Sequence, residues 1–163
     1  MSAAEILQTD AGQFMSNFDF LKIEWPELDA SARKVESLVH TDTRACCFYA
    51  RRTLELTVDW LCQNDADLKR PYEAHLSALI YEPTFKDNLP RNIFLKVRAI
   101  KEIGNQAVHS KRDITETDAL RATKELFHCS STLVETMRFE RKTFSCYTLP
   151  QRGRSGARER QPT

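Results

Sequence analysis

The stretch "ACCFYARRTLELTVDWLC", Ala45 to Cys62, decides the fold class. Read as a helix, it is apolar on most of its circumference, because Phe48, Leu54, Leu56, Val58, Trp60 and Leu61 cannot share one narrow stripe. A helix of that kind needs neighbours on several sides, which places it at the centre of a bundle. Its polar exceptions, Arg51, Glu55 and Asp59, lie four apart and form a single seam. Asp42, just ahead of the run, is placed to cap its first turn.

The segments on either side of this run read as helices too. Pro26 suits a first helical turn, where its missing N–H has no intrahelical partner, and Leu28, Ala32, Val35 and Val39 repeat behind it, predicting a helix over 26 to 40. Before it, "NFDFLKIEWPEL" gathers Phe18, Phe20, Leu21, Ile23 and Trp25, an apolar density expected of an arm packed onto the body. On the C-terminal side a shorter helix follows Pro71, with Tyr72, Leu76, Leu79 and Ile80 facing inward, and "YEPTFKDN" reads as a loop. From near Pro90, the spacing of Ile93, Val97, Ile100, Gly104 and Ala107 predicts a fourth helix running to about His109. Thr115 and Asp118 make a variant capping box that opens a long last helix, with Leu120, Thr123, Phe127, Val134 and Met137 on one face.

The expected fold is therefore all-α: a single bundle of about five helices over residues 17–145, an N-terminal arm over 1–16, and a disordered basic tail over 146–163. The 163 residues suit one domain, and four glycines and six prolines suit helices joined by short turns. The tail is rich in arginine, glycine and proline and has no apolar period, an ending like that of a truncated longer protein.

Formal net charge is +1, but it is unevenly spread. Residues 141–163 hold six basic residues and one acidic, 6 − 1 = +5, leaving 18 basic and 22 acidic, −4, for the rest. An acidic body argues against a fold whose own surface grips nucleic acid, so DNA is expected at most indirectly or through the tail. The five cysteines, Cys46, Cys47, Cys62, Cys129 and Cys146, are odd in number, lack C-x-x-C spacing and fall mostly in apolar segments. Free thiols in a reducing compartment are expected, and no apolar run has the length of a membrane helix, so the chain reads as cytoplasmic.

No phosphate-binding glycine loop, H-E-x-x-H or zinc-type cysteine pairing is present, and no metal or cofactor is predicted. His40 and His75 are isolated and read as surface or helix-end residues, and His128 and Cys129 diverge around their helix. "ERK" at Glu140 to Lys142 ends a helix, whereas the E-x-K of nucleases needs a strand and an acidic partner.

The unusual residues are in "IGNQAVHS", Ile103 to Ser110. Glycine in a helix interior costs about 1 kcal/mol relative to alanine. Gly104 falls on the apolar face, so close approach by a neighbouring helix is its simplest explanation. Taking Arg98 as zero, Glu102, Asn105 and His109 fall at about +40°, −20° and +20°, a polar ridge roughly opposite that face. Either the ridge faces water and Arg98 and Glu102 form an ordinary pair, or it meets the seam of the central helix. In the second case Glu55 orients His109 or pairs with Arg98, and Arg51, Glu55, Arg98, Asn105 and His109 form one structural polar cluster.

"NFDFLK", "AR.VE" near Arg33, "R..LE" at Arg52 to Glu55, "VRAIKEIGNQAVH" and "LPQRG" at Leu149 together resemble the N-terminal domain of type I restriction endonuclease R subunits. The resemblance spans about residues 17–153, and its sharpest element is "R-x5-GN-x-A-V-H". It implies an accessory or docking module rather than an enzyme, with the methyltransferase, specificity and motor subunits as partners. The helical arrangement also looks like the HEPN superfamily, some of whose members are metal-independent ribonucleases that join an arginine and a histidine across a homodimer. That likeness would make Arg98 and His109 catalytic, but ten residues separate them where the family pattern has four to six.

Overall fold

The computed structural model describes the backbone of residues 15–147 and the side chains of residues 15–139. The expectations for residues 1–14, the tail from 148 onward, the "ERK" side chains and Cys146 lie outside the described residues. The chain forms a short 3-10 turn, Asp19–Leu21, and six α-helices: α1 Pro26–Leu38, α2 Thr43–Asn64, α3 Leu76–Tyr81, α4 Pro83–Asn88, α5 Arg91–His109 and α6 Glu116–Tyr147. Four of these are long, and they pack as an all-α bundle.

Helix α2 is the hub. It touches α1, α3, α5 and α6, and it buries Cys46, Cys47, Ala50, Leu54, Val58, Leu61 and Cys62. An apolar circumference is what such a position demands. Asp42 caps it as expected, accepting from the Ala45 N–H at 2.9 Å. At α6 the capping box is reciprocal: the Thr115 N–H donates to Asp118 Oδ2 at 3.1 Å and the Asp118 N–H to Thr115 Oγ1 at 3.2 Å. These bonds hold the Asp118 carboxyl below its usual range.

The arm packs onto the bundle. Phe18 and Leu21 are fully buried, and Phe18 meets Phe127 of α6 edge-on. Polar ties fix it on both sides. Glu36 of α1 accepts from Ser16 Oγ at 2.5 Å and from the Asn17 side chain at 2.7 Å. Arg138 of α6 pairs with Glu24 at 2.7 Å and donates to the Phe20 carbonyl at 3.2 Å.

Four expectations need correction. "YEPTFKDN" is mostly helix: Pro83 opens α4, and the Glu82 carboxylate caps it by accepting from the Thr84 N–H at 2.7 Å. Tyr72 does not face inward; it precedes α3 and is fully exposed. Leu120 is 46% exposed, because the buried face of α6 runs instead through Ala119, Ala122, Leu126, Cys129, Leu133 and Met137. Ile23 is 92% exposed and takes no part in packing the arm.

Candidate functional site

Helix α5 presents its apolar stripe to the bundle, burying Ile93, Val97, Ile100, Ile103, Gly104 and Ala107. Gly104 lies against α2 at Arg51. A Cβ placed on Gly104 would clash with the Arg51 Cβ and come within 2.8 Å of its Cδ. No rotamer change moves a Cβ, so the two helices approach this closely only because residue 104 has no side chain. The apolar stem of Arg51 covers the glycine, as long basic side chains do on apolar surface.

Of the α2 seam, Arg51 therefore meets α5 on its apolar stripe, at Gly104. Among the described residues, no hydrogen bond or ion pair joins Arg51 or Glu55 to Arg98, Asn105 or His109. Glu55 is paired within its own helix with Arg52, at 3.5 Å, and Arg98 with Glu102, at 3.4 Å. Both distances are long for such pairs. Asp59 pairs with Arg70 at 2.8 Å. Asn105 is half-buried. His109 is exposed and has no carboxylate partner among the described residues. The expected five-residue cluster is not assembled: Arg51 lies against Gly104, and Glu55 and Arg98 each pair within their own helix. The Nε atoms of Arg51 and Arg98 are buried and have no hydrogen-bond partner among the described residues.

What locks this end of α5 is a residue that sequence reasoning missed. Arg44, in the first turn of α2, donates to the Ala107 carbonyl at 2.6 Å, the Ser110 carbonyl at 3.1 Å and the Arg112 carbonyl at 2.6 Å. Its guanidinium thereby satisfies orphan carbonyls at the helix end and sets a positive charge against the negative end of the α5 dipole. Thr43 adds a bond from its hydroxyl to the Ile114 carbonyl at 2.7 Å. The start of α2 thus clamps the whole α5–α6 connection. No side-chain pattern signals this, since every acceptor is a backbone carbonyl more than 60 residues away.

The end of α5 also carries a shallow, solvent-open hollow lined by Asn105, Gln106, His109 and Ser110. Of the other histidines, His128 is half-buried in the middle of α6 against Phe127, while His75 and His40 sit at a helix end and at the surface. His75 Nδ1 caps α3 by accepting from the Ala78 N–H at 3.1 Å, and the exposed His40 pairs with Glu116 at 2.5 Å. Cys46, Cys47, Cys62 and Cys129 are free and buried. Burial pushes the thiols of Cys47 and Cys129 up to about 12 and that of Cys62 up to about 11. The reactive thiolate is therefore disfavoured at all four, Cys46 included. Among the described residues no group of His, Cys, Asp and Glu could hold a metal ion, and no helix is long and apolar enough to cross a membrane.

No curated protein and no solved structure matches the chain. A family model does: that of a domain of unknown function, DUF4145, matches residues 33–149, more than half of the chain. The matched span begins within α1 and takes in the α2–α5 crossing, the Arg44 clamp and all of α6. The chain belongs to the DUF4145 family.

Proposed function

We propose that this chain is a non-catalytic, cytoplasmic docking module of a bacterial DNA-restriction system, acting like the N-terminal domain of a type I restriction endonuclease R subunit. Its role is to hold a nuclease-translocase against the methyltransferase and specificity subunits, or to regulate it there. The observation that carries this reading is the seating of Gly104 on Arg51. The glycine of the sharpest motif is accounted for by helix packing, so the motif marks a rigid scaffold, and a scaffold acts by presenting a surface. The test is co-expression of the tagged full chain with methyltransferase and specificity subunits. Co-elution as one complex is expected, and separate elution would contradict the reading.

The competing reading is a ribonuclease using Arg98 and His109. In its favour, His109 is exposed beside an open hollow. Against it, eleven residues of helix put the two about 16 Å apart along one axis, too far to act on a single phosphate within one chain. Incubation of the purified protein with RNA decides between them. Intact RNA is expected; cleavage abolished by His109→Ala would establish the enzyme.

A further inference from the structure

Away from α5, the start of α1 and the second half of α2 enclose a groove lined by Glu24, Trp25, Glu27, Leu56, Asp59 and Trp60, with carboxylates as its charged lining. The two indole rings meet edge to face, with centroids 6.0 Å apart. Trp25 is buried and backs the groove, while the half-buried Trp60 offers part of its ring. Two of the carboxylates already take a guanidinium: Glu24 from Arg138 at 2.7 Å and Asp59 from Arg70 at 2.8 Å. Glu27 is exposed and has no ion pair among the described residues. An indole beside carboxylates suits a cation on an apolar stem, which gains charge pairing and ring attraction together.

We propose that this groove is a docking site for an arginine-bearing segment, and that its occupant is the chain's own C-terminal stretch, residues 148–163. Charge complementarity is the first argument. That stretch carries Arg152, Arg154, Arg158 and Arg160 against the single Glu159, while the chain before residue 141 carries −4. The tether is the second. Helix α6 passes the groove where Arg138 meets Glu24, and it ends nine residues later at Tyr147, about 14 Å further along its axis. Five extended residues span about 17 Å, so Arg152 is the first arginine able to return to the level of Glu24, and the other three extend the reach along the groove.

Both tryptophans of the chain line this groove, so tryptophan fluorescence, excited selectively over the four tyrosines, reports on it. Acrylamide quenching would be compared between the full chain and a full-length variant with all four tail arginines changed to glutamine. The wild type should be shielded at low salt and lose its shielding at high salt; the variant should be accessible throughout, with an unchanged circular dichroism spectrum. A synthetic peptide of residues 148–163 should restore shielding to the variant and leave the wild type unchanged. Glu27→Lys, an exposed substitution, should lose the wild-type shielding. Equal quenching of wild type and tail variant would overturn the proposal. So would equal protection of both by the peptide, which would mean a groove open to basic segments from elsewhere, or shielding that rises with protein concentration, which would assign the segment to a second copy.

Discussion

The two faces of α5 make opposite use of residues that a helix does not favour. On the inner face, Gly104 gives up helix propensity and gains contact with α2 that no other residue permits. On the outer face, Asn105 and His109 also give up propensity, and no hydrogen bond or ion pair with a described residue replaces it. The inner face is determined by sterics, whereas on the other face Asn105 is half-buried and His109 is open to solvent. A rare residue in a helix is thus explained by its surroundings and not by its rarity.

The contrast can be tested by substitution, beginning where the effect is largest. Ile100 is fully buried on the inner face. Ile100→Ala should cost about 2–5 kcal/mol in urea unfolding. A loss below about 1 kcal/mol would mean that the inner face is not tightly packed. Arg44→Ala removes three hydrogen bonds to carbonyls at the end of α5 and should cost about 2 kcal/mol. Hydrogen exchange should also quicken at residues 107–112 before it does elsewhere in α5. A uniform increase would show that the clamp serves the whole fold and not this end. On the outer face, His109→Ala should change stability by less than about 0.5 kcal/mol in the same urea unfolding. A loss above about 1 kcal/mol would reveal a partner for the side chain and erase the contrast.

Much of the fold is legible in the sequence because it rests on local chemistry. The all-round apolarity of α2, the Asp42 cap, the Thr115–Asp118 box, Pro26 at the start of α1 and the stripe of α5 depend on residues within a few positions of one another. Helix α4 is not legible in that way, since six residues opening on a proline read as a loop until Glu82 is seen to cap them. Leu120 misleads because α6 fills its inner face with the small Ala119 and Ala122, which a search for large apolar residues passes over.

The candidate site is legible only in its glycine. A helical wheel gives the faces of α2 and α5 but not how each is rotated toward the other. Two polar strips, one on each helix, therefore invite pairing. The long stem of Arg51 is apolar, however, and the glycine opposite it offers a recess, so Arg51 settles onto the stripe and does not meet the ridge's polar groups. Arg44 is harder still to foresee, for its partners are carbonyls whose positions only the tertiary fold sets.

The central claim is that α2 and α5 cross as closely as they do because residue 104 lacks a Cβ. A double-mutant cycle in urea unfolding tests it most directly. Gly104→Ala alone should destabilise by about 1–3 kcal/mol despite alanine's better helix propensity. Arg51→Ala should not relieve that loss, because it keeps the clashing Cβ, whereas Arg51→Gly should abolish it. If Gly104→Ala instead stabilises the wild-type chain, or costs the same beside Arg51→Gly, the glycine is not there for the crossing and the architectural account of the motif fails.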